Sequence, residues 1–146
     1  MTDIASLLTP PAGITPGLEG QIRHMVRAQD LATAWQGHVA ALASAPVIWL
    51  AELACMRAVA DYLPQGATTV GVGFDVRHTA PTAEGMEVVI TARLLRAVGR
   101  SLLFEVRGED GAGVVLDGRM TRHIAEPAAV VAQMAARCGP PLATQG

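Results

Sequence analysis

The chain has 146 residues, and 51% of them are hydrophobic, which is enough apolar material for the core of one domain. Aromatic residues make up only 3% of the chain, so small and aliphatic side chains must fill most of that core. The formal net charge is −2 and neither sign forms a run, so the charge pattern indicates no nucleic-acid partner and no anionic membrane surface. The longest apolar stretch, Val39 to Ala51, is interrupted by Pro46 and is too short to span a bilayer.

The N-terminal residues lack the basic segment, apolar run and cleavage pattern of a secretory signal, so we expect a cytoplasmic protein. Cys55 and Cys138 lack the spacing of metal ligands, and we expect both to be reduced thiols. The sequence also contains no phosphate-binding glycine loop and no dinucleotide fingerprint. We therefore expect neither a metal nor a nucleotide cofactor.

Proline and glycine are frequent at both ends of the chain, where hydrophobic periodicity is weak. This pattern predicts a flexible N-terminal segment over residues 1–17 and a folded domain over residues 18–126. The remaining residues, 127–146, are expected to form a C-terminal helix followed by a loose tail.

The clearest predicted element is a helix from Pro46 to Leu63. Proline suits the first turn of a helix, and the sequence from Pro64 to Gly66 ends it. Apolar residues occupy most of its circumference, so we expect a central helix that other elements wrap on several sides. Before it, residues 20–34 alternate between apolar and polar side chains, which favours a strand.

Four segments after the helix alternate with a period of two, as strands do. Short glycine-bearing connections at residues 97–100 and 109–113 are typical of turns between antiparallel neighbours. The predicted strands cover residues 70–78, 86–94, 102–106 and 114–120, and a terminal helix follows at 127–137.

This element order predicts an α+β protein with the hotdog fold, in which an antiparallel sheet wraps around one central helix and a short extra helix follows. A sheet of this kind has exposed edge strands, and pairing the edges of two subunits is a common way to cover them. We therefore expect a homodimer, and the sequence leaves a tetramer open.

Glu52 interrupts the apolar helix between Leu50-Ala51 and Leu53-Ala54. A buried carboxylate needs hydrogen-bonding partners, so it is either paired for structural reasons or tuned for catalysis. The alternative interpretation places Glu52 on a narrow stripe of the helix that faces solvent.

His78 ends a predicted strand in which Val70, Val72, Phe74 and Val76 alternate with polar residues or glycine. Because alternate residues of a strand share a face, His78 is expected to point inward, toward the helix. The alternative is a histidine at the edge of the core with no role in chemistry.

Ser44 stands eight residues before Glu52, at the entrance of the helix. Its alternative role is that of a helix N-cap, for which serine is a preferred residue. Gly71 and Gly73 interrupt a strand, where glycine indicates either close approach of a ligand to the backbone or a β-bulge.

Taken together, Ser44, Glu52, Gly71, His78 and Arg122 resemble the pattern of the hotdog thioesterases related to fluoroacetyl-CoA thioesterase. In that family a Thr precedes a helix Glu by eight residues, a Tyr-Leu-Pro-x-Gly segment ends the helix, and a glycine-bearing strand leads into Val-x-His-x-Ala-Pro-Thr. The resemblance covers roughly residues 40–125, and its most specific part here is Tyr62-Leu63-Pro64-Gln65-Gly66 with Val76-Arg77-His78-Thr79-Ala80-Pro81-Thr82.

The resemblance implies an enzyme that hydrolyses an acyl-CoA thioester to a free acid and CoA, with CoA as part of the substrate and no separate cofactor. It implies catalytic roles for Ser44, Glu52 and His78, a backbone N–H of Gly71 that binds the thioester carbonyl, and a substrate contact by Arg122. Two alternatives remain open: a non-catalytic hotdog module that binds an acyl-CoA or a small hydrophobic ligand, and a hotdog hydratase, whose expected Asp-and-His pair is not visible in this sequence.

The chain departs from the family pattern at three places. Serine replaces threonine at Ser44, and the last strand retains only Gly118 and Arg122 of the usual motif. The phenylalanine-rich lid of the family is also not evident, since Trp35 and His38 occupy that neighbourhood. The resemblance therefore does not imply fluoroacetyl-CoA as the substrate.

Overall fold

The computed structural model describes residues 3–139. Short single-turn 3-10 helices at Ala28–Asp30, Ala32–Trp35 and Ala60–Tyr62 accompany the regular elements. In chain order these elements are α1 (Ile4–Leu8), β1 (Glu19–Met25), α2 (Ser44–Val59), β2 (Thr68–His78), β3 (Glu87–Val98), β4 (Ser101–Asp110), β5 (Gly113–Ala125) and α3 (Pro127–Cys138).

The five strands form one antiparallel sheet in the order β1-β3-β4-β5-β2. Helix α2 packs on this sheet, chiefly against β1 and β3. The predicted α+β arrangement of an antiparallel sheet around one central helix is therefore confirmed, as is the C-terminal helix. Strands β1 and β2 form the two edges, so β2 is bonded to a neighbouring strand on one side only.

Small side chains let α2 lie very close to the sheet. Ala51, Ala54 and Cys55 are fully buried on the helix, opposite fully buried aliphatic residues of β3 and β4. At Gly20 of β1 an added Cβ would lie 2.5 Å from the backbone nitrogen of Ala58, so the two backbones are nearly in contact. This close packing explains how a chain with few aromatic residues fills its core.

Both cysteines are free thiols. Cys55 is a buried residue of α2, and Cys138 is exposed at the end of α3. Burial raises the pKa of the Cys55 thiol to about 12, so this side chain stays protonated and packs as a small apolar group. No helix within residues 3–139 is long and apolar enough to cross a membrane.

The N-terminal segment departs from the expectation of a flexible tail. Its described residues include α1, and Ile14 lies in the core with only 2% of its surface exposed. The amide of Gly17 donates a hydrogen bond to the carbonyl of Leu94, which joins the segment to β3. The predicted strand over residues 20–34 ends early, at Met25, and 3-10 turns replace its second half. The predicted tail after residue 139 lies outside the described residues.

A β-bulge interrupts the pairing of β2 with β5. Gly71 lies opposite Arg122 and Gly73 lies opposite Thr121, so Val72 has no partner residue in the ladder. One inserted residue reverses the alternation of side chains. Buried positions of β5 therefore lie opposite Thr69 and Gly71 before the bulge and opposite Phe74 and His78 after it, and Val76 lies between these two, opposite half-buried Gly118.

The predicted inward row of β2 is thus correct only for its second half. Val70 and Val72 do not belong to it, and Val72 is 48% exposed. The physical reason is the bulge, which shifts the inward positions by one residue. His78 keeps its expected orientation because it follows the bulge.

Candidate active site

Ser44 and His78 form a hydrogen-bonded pair at the start of α2. The Ser44 Oγ lies 2.9 Å from Nδ1 of His78, which is the last residue of β2. The N-cap of α2 is Ala43, and Ser44 is the first helical residue, so the serine hydroxyl is not used as a cap. The alternative N-cap role of Ser44 is therefore wrong.

The surroundings of His78 favour a neutral imidazole. Burial lowers the pKa of His78 below its usual 6.5, and a hydrogen bond with the Ala80 backbone opposes this shift only in part. Its second ring nitrogen, Nε2, is buried and has no hydrogen-bond partner among the described residues. Buried polar atoms normally have a partner, so an unpaired one points to a site where a ligand or water binds.

Glu52 lies in the middle of α2 and reaches across to the sheet. Its side chain is only 13% exposed, so it does not lie on a solvent-facing stripe of the helix. Nη1 of Arg122 on β5 donates to Oε1 of Glu52 at 2.5 Å. The described residues donate no hydrogen bond to the other carboxylate oxygen, Oε2.

Arg122 is held from two further directions. Its Nε donates to Oγ1 of Thr69 at 2.8 Å, and its Nη2 donates to the Thr69 carbonyl at 2.7 Å. Only 2% of the Arg122 residue is exposed. From the sequence we expected Arg122 to contact the substrate. In the structure its guanidinium is buried and donates to Glu52 and Thr69 instead.

Gly71 lies directly against this carboxylate. A Cβ built on Gly71 would overlap Oε1 of Glu52, and it would lie 2.8 Å from Cζ of Phe74 and 3.3 Å from Nη1 of Arg122. Any larger residue would therefore displace the carboxylate or the Phe74 ring. The β-bulge interpretation of this glycine is confirmed, and the group that lies against its backbone in the structure is the Glu52 carboxylate.

The structure thus joins the expected residues into two groups. Ser44 and His78 form one, and Glu52, Arg122 and Gly71 form the other. Eight residues of helix separate Ser44 from Glu52, which is about 12 Å along the axis at 1.5 Å per residue. Among the described residues no hydrogen bond links the two groups, so the three expected catalytic side chains are not a chain of direct contacts.

Thr69 was not a candidate in the sequence analysis, although it binds Arg122 through two oxygen atoms. Continuous alternation along β2 would have turned its side chain outward, together with Gly71. Only the bulge brings Thr69 and Gly71 to the inner face. The close glycine pair at Gly71 and Gly73 was the signal that could have revealed it.

The described residues contain no group of three or more His, Cys, Asp or Glu side chains that could hold a metal ion. The candidate site therefore consists of one histidine–serine pair, one carboxylate–guanidinium pair and the backbone of β2.

Comparisons with known proteins agree with this fold. The family model for fluoroacetyl-CoA-specific thioesterase matches residues 26–128. The fluoroacetyl-CoA thioesterase of Streptantibioticus cattleyicolor is 37% identical over 78 residues, which cover 53% of this chain. The matched region spans 56% of the length of that curated relative.

Solved structures extend the likeness over most of the chain. A variant of fluoroacetyl-CoA thioesterase in complex with acetyl-CoA superposes with a TM-score of 0.81 at 26% identity, covering 86% of this chain and 100% of that one. A hot-dog-like protein from Thermanaerovibrio acidaminovorans superposes with a TM-score of 0.77 at 20% identity, covering 95% and 99% of the two chains. The second likeness shows the fold alone, and the predicted hotdog fold is confirmed.

The match of the family model runs from the end of β1 to the start of α3. It therefore includes α2, β2 and β5, which carry the site. The predicted resemblance is therefore confirmed, and the chain belongs to the fluoroacetyl-CoA-specific thioesterase family.

Proposed function

We propose that the protein hydrolyses an acyl-CoA thioester to a free acid and CoA. One observation carries this proposal: Glu52 is a buried carboxylate fixed by Arg122 through one oxygen and placed against the backbone of Gly71. Pre-positioned charges in a site with little water stabilise the charges that develop during a reaction. The name of the S. cattleyicolor relative and the acetyl-CoA complex of the solved neighbour support a CoA thioester as the substrate class.

In the proposed reaction the thioester carbonyl lies at Gly71, whose N–H donates to the developing oxyanion. Oε2 of Glu52 either accepts a proton from the attacking water or attacks the carbonyl carbon itself. On either route the C–S bond breaks and the CoA thiolate takes up a proton. On the first route the oxygen of water enters the acid directly. On the second, Glu52 first forms a mixed anhydride with the acyl group, and attack of water on its acyl carbon releases the acid and restores the carboxylate. Both routes need an oriented carboxylate, and Arg122 and Thr69 supply that orientation.

His78 and Ser44 complete the proposed site. A neutral imidazole can accept a proton from water or from Ser44, and water between the two groups can carry it toward the leaving thiolate. Ser44, bonded to Nδ1 of His78, positions water or the substrate near the start of α2. This chemistry uses only side chains, backbone and water, so we propose that no cofactor takes part.

We also propose that the enzyme is a homodimer formed along β2. This strand is an edge of the sheet, and two of its large apolar side chains are half exposed, Val72 at 48% and Phe74 at 51%. Pairing two β2 edges would satisfy their backbone groups and cover these side chains.

The cytoplasmic location stays a prediction.

Replacement of Glu52 tests the proposed reaction. We expect Glu52→Gln to lower kcat for acyl-CoA hydrolysis by a factor of at least about 100, because glutamine can still accept from Arg122 but cannot act as a base or nucleophile. The release of free CoA thiol measures the reaction. The matched control is Glu87→Gln, which removes an exposed carboxylate paired with Arg23 and should keep full activity.

Unchanged hydrolysis by Glu52→Gln would refute the role of this carboxylate. If the wild type binds acyl-CoA tightly but hydrolyses none, the non-catalytic hotdog module becomes the better description.

Two glycines of one strand give a second test. Gly71→Ala should lower kcat strongly, because the new Cβ overlaps the Glu52 carboxylate. Gly73→Ala should leave kcat within about a factor of two, since its Cβ would meet the Thr121 Cβ at an ordinary 3.6 Å. Steady-state kinetics on both variants decides the point, and equal losses would argue against a site at Gly71.

The lowered pKa of His78 predicts an acid limb in the pH profile. Above pH 6.5 the imidazole is neutral in both the folded and unfolded chain, and kcat/KM should be insensitive to it. As the pH falls below 6.5, kcat/KM should decline with a midpoint on the acid side of that value. The free energy of unfolding should decrease in the same range, because the unfolded chain binds the proton first.

Profiles of kcat/KM against pH for wild type, His78→Gln and His123→Gln would check this. His123 lies on the opposite face of β5, so its replacement should leave the limb in place. A limb that survives in His78→Gln would assign the titration to another group.

The dimer is tested by sedimentation equilibrium. Wild type should have twice the monomer mass, and Val72→Asp should shift it toward the monomer by placing a charge in the β2 interface. Val131→Asp changes a valine on α3 that is 58% exposed and should remain dimeric. A monomeric wild type, or dissociation by the α3 variant alone, would contradict an interface at β2.

A further inference from the structure

An apolar cavity of about 370 Å³ lies beyond Glu52, toward the C-terminal end of α2. This volume falls in the lower part of the range for small-molecule sites. Helix α2 and the following turn provide Leu53, Met56 and Ala60, and the loop and strand that follow provide Leu63, Ala67 and Thr69. Neither Ser44 nor His78 lines this cavity.

The cavity lies next to the proposed site along two elements, although Glu52 and Gly71 do not line it. On α2, Leu53 and Met56 follow Glu52 by one and four residues, so the cavity begins within one turn, about 6 Å along the axis. On β2, Thr69 lines the cavity and also holds Arg122, the partner of Glu52. A group bound at Gly71 and Glu52 therefore has an open space next to it in the direction of Thr69.

The lining selects apolar ligands. Its aliphatic residues come from three segments, and alanine at positions 60 and 67 leaves the space open. The Thr69 hydroxyl already accepts from Arg122, and Arg57 at the edge of the cavity donates to the Gln21 carbonyl. A carboxylate or phosphate would lose its water here and meet a positive charge only at Arg57 on the edge, whereas a hydrocarbon chain would gain buried area along the aliphatic part of the lining.

We propose that this cavity binds the acyl chain of the substrate, and that the enzyme prefers unbranched aliphatic acyl groups several carbons longer than acetyl. This inference rests on the proposed thioesterase function. The thioester lies at Gly71 and Glu52, and the chain extends past Met56 toward Ala60 and Ala67. An acetyl group, with one carbon beyond the carbonyl, reaches none of this space.

Chain-length selectivity measures the effect. In a series from acetyl-CoA to octanoyl-CoA, kcat/KM should rise about fourfold for each added methylene group until the cavity is full. Ala60→Leu and Ala67→Leu fill the cavity, and each should lower the ratio of hexanoyl-CoA to acetyl-CoA kcat/KM at least tenfold. Ala135→Leu makes the same change on exposed α3 and should leave the ratio at its wild-type value.

A binding experiment separates the cavity from the reaction. Titration calorimetry on Glu52→Gln should show hexanoyl-CoA binding at least tenfold more tightly than acetyl-CoA, and adding Ala67→Leu should remove this difference. If all acyl-CoAs are hydrolysed or bound equally well in every variant, the acyl cavity is refuted while the thioesterase stands. If none is hydrolysed but the binding preference follows the cavity variants, the thioesterase proposal fails and the cavity assignment stands.

Discussion

The buried ion pair between Glu52 and Arg122 is the interaction on which the site depends. It connects the central helix α2 to β5, and through Thr69 it also connects to β2. Removing two charges from water costs several kcal/mol per ion unless further hydrogen bonds compensate. Arg122 has such compensation in the two oxygens of Thr69. Loss of one partner would leave the other charge buried and unpaired, so the pair fixes both side chains in one arrangement.

That arrangement constrains the backbone around it. Glu52 fits only because residue 71 has no side chain, and the β-bulge at Val72 brings Gly71 and Thr69 to the inner face together. The same bulge restores His78 to the inner face seven residues later, where it meets Ser44. A single inserted residue thus sets the position of both halves of the site. A regular strand could present Gly71 inward or His78 inward, but not both.

Local patterns predicted much of this fold, and long-range pairing decided what they missed. The helix at Pro46 and the four later strands followed from periodicity and turn residues. The bulge left no trace in the alternation, because Val70, Val72, Phe74 and Val76 are all apolar whichever face they occupy. Thr69 was missed for that reason. Arg122 could be identified from the family pattern, but its burial behind Glu52 depends on the register of β5 with β2, which only the structure shows.

The family pattern and the acyl preference rest on different residues of the same helix. The pattern fixes Ser44 and Glu52, about two turns apart, and with them the place where a thioester can react. The apolar cavity begins at Leu53 and Met56, where the pattern has no requirement, and shares only Leu63 with the pattern's Tyr-Leu-Pro-x-Gly segment. Changes there alter the space beside the reacting carbonyl without moving the ion pair. Substrate range can therefore diverge within the family while the arrangement around Glu52 and Gly71 is retained, because the two properties depend on separate turns of α2.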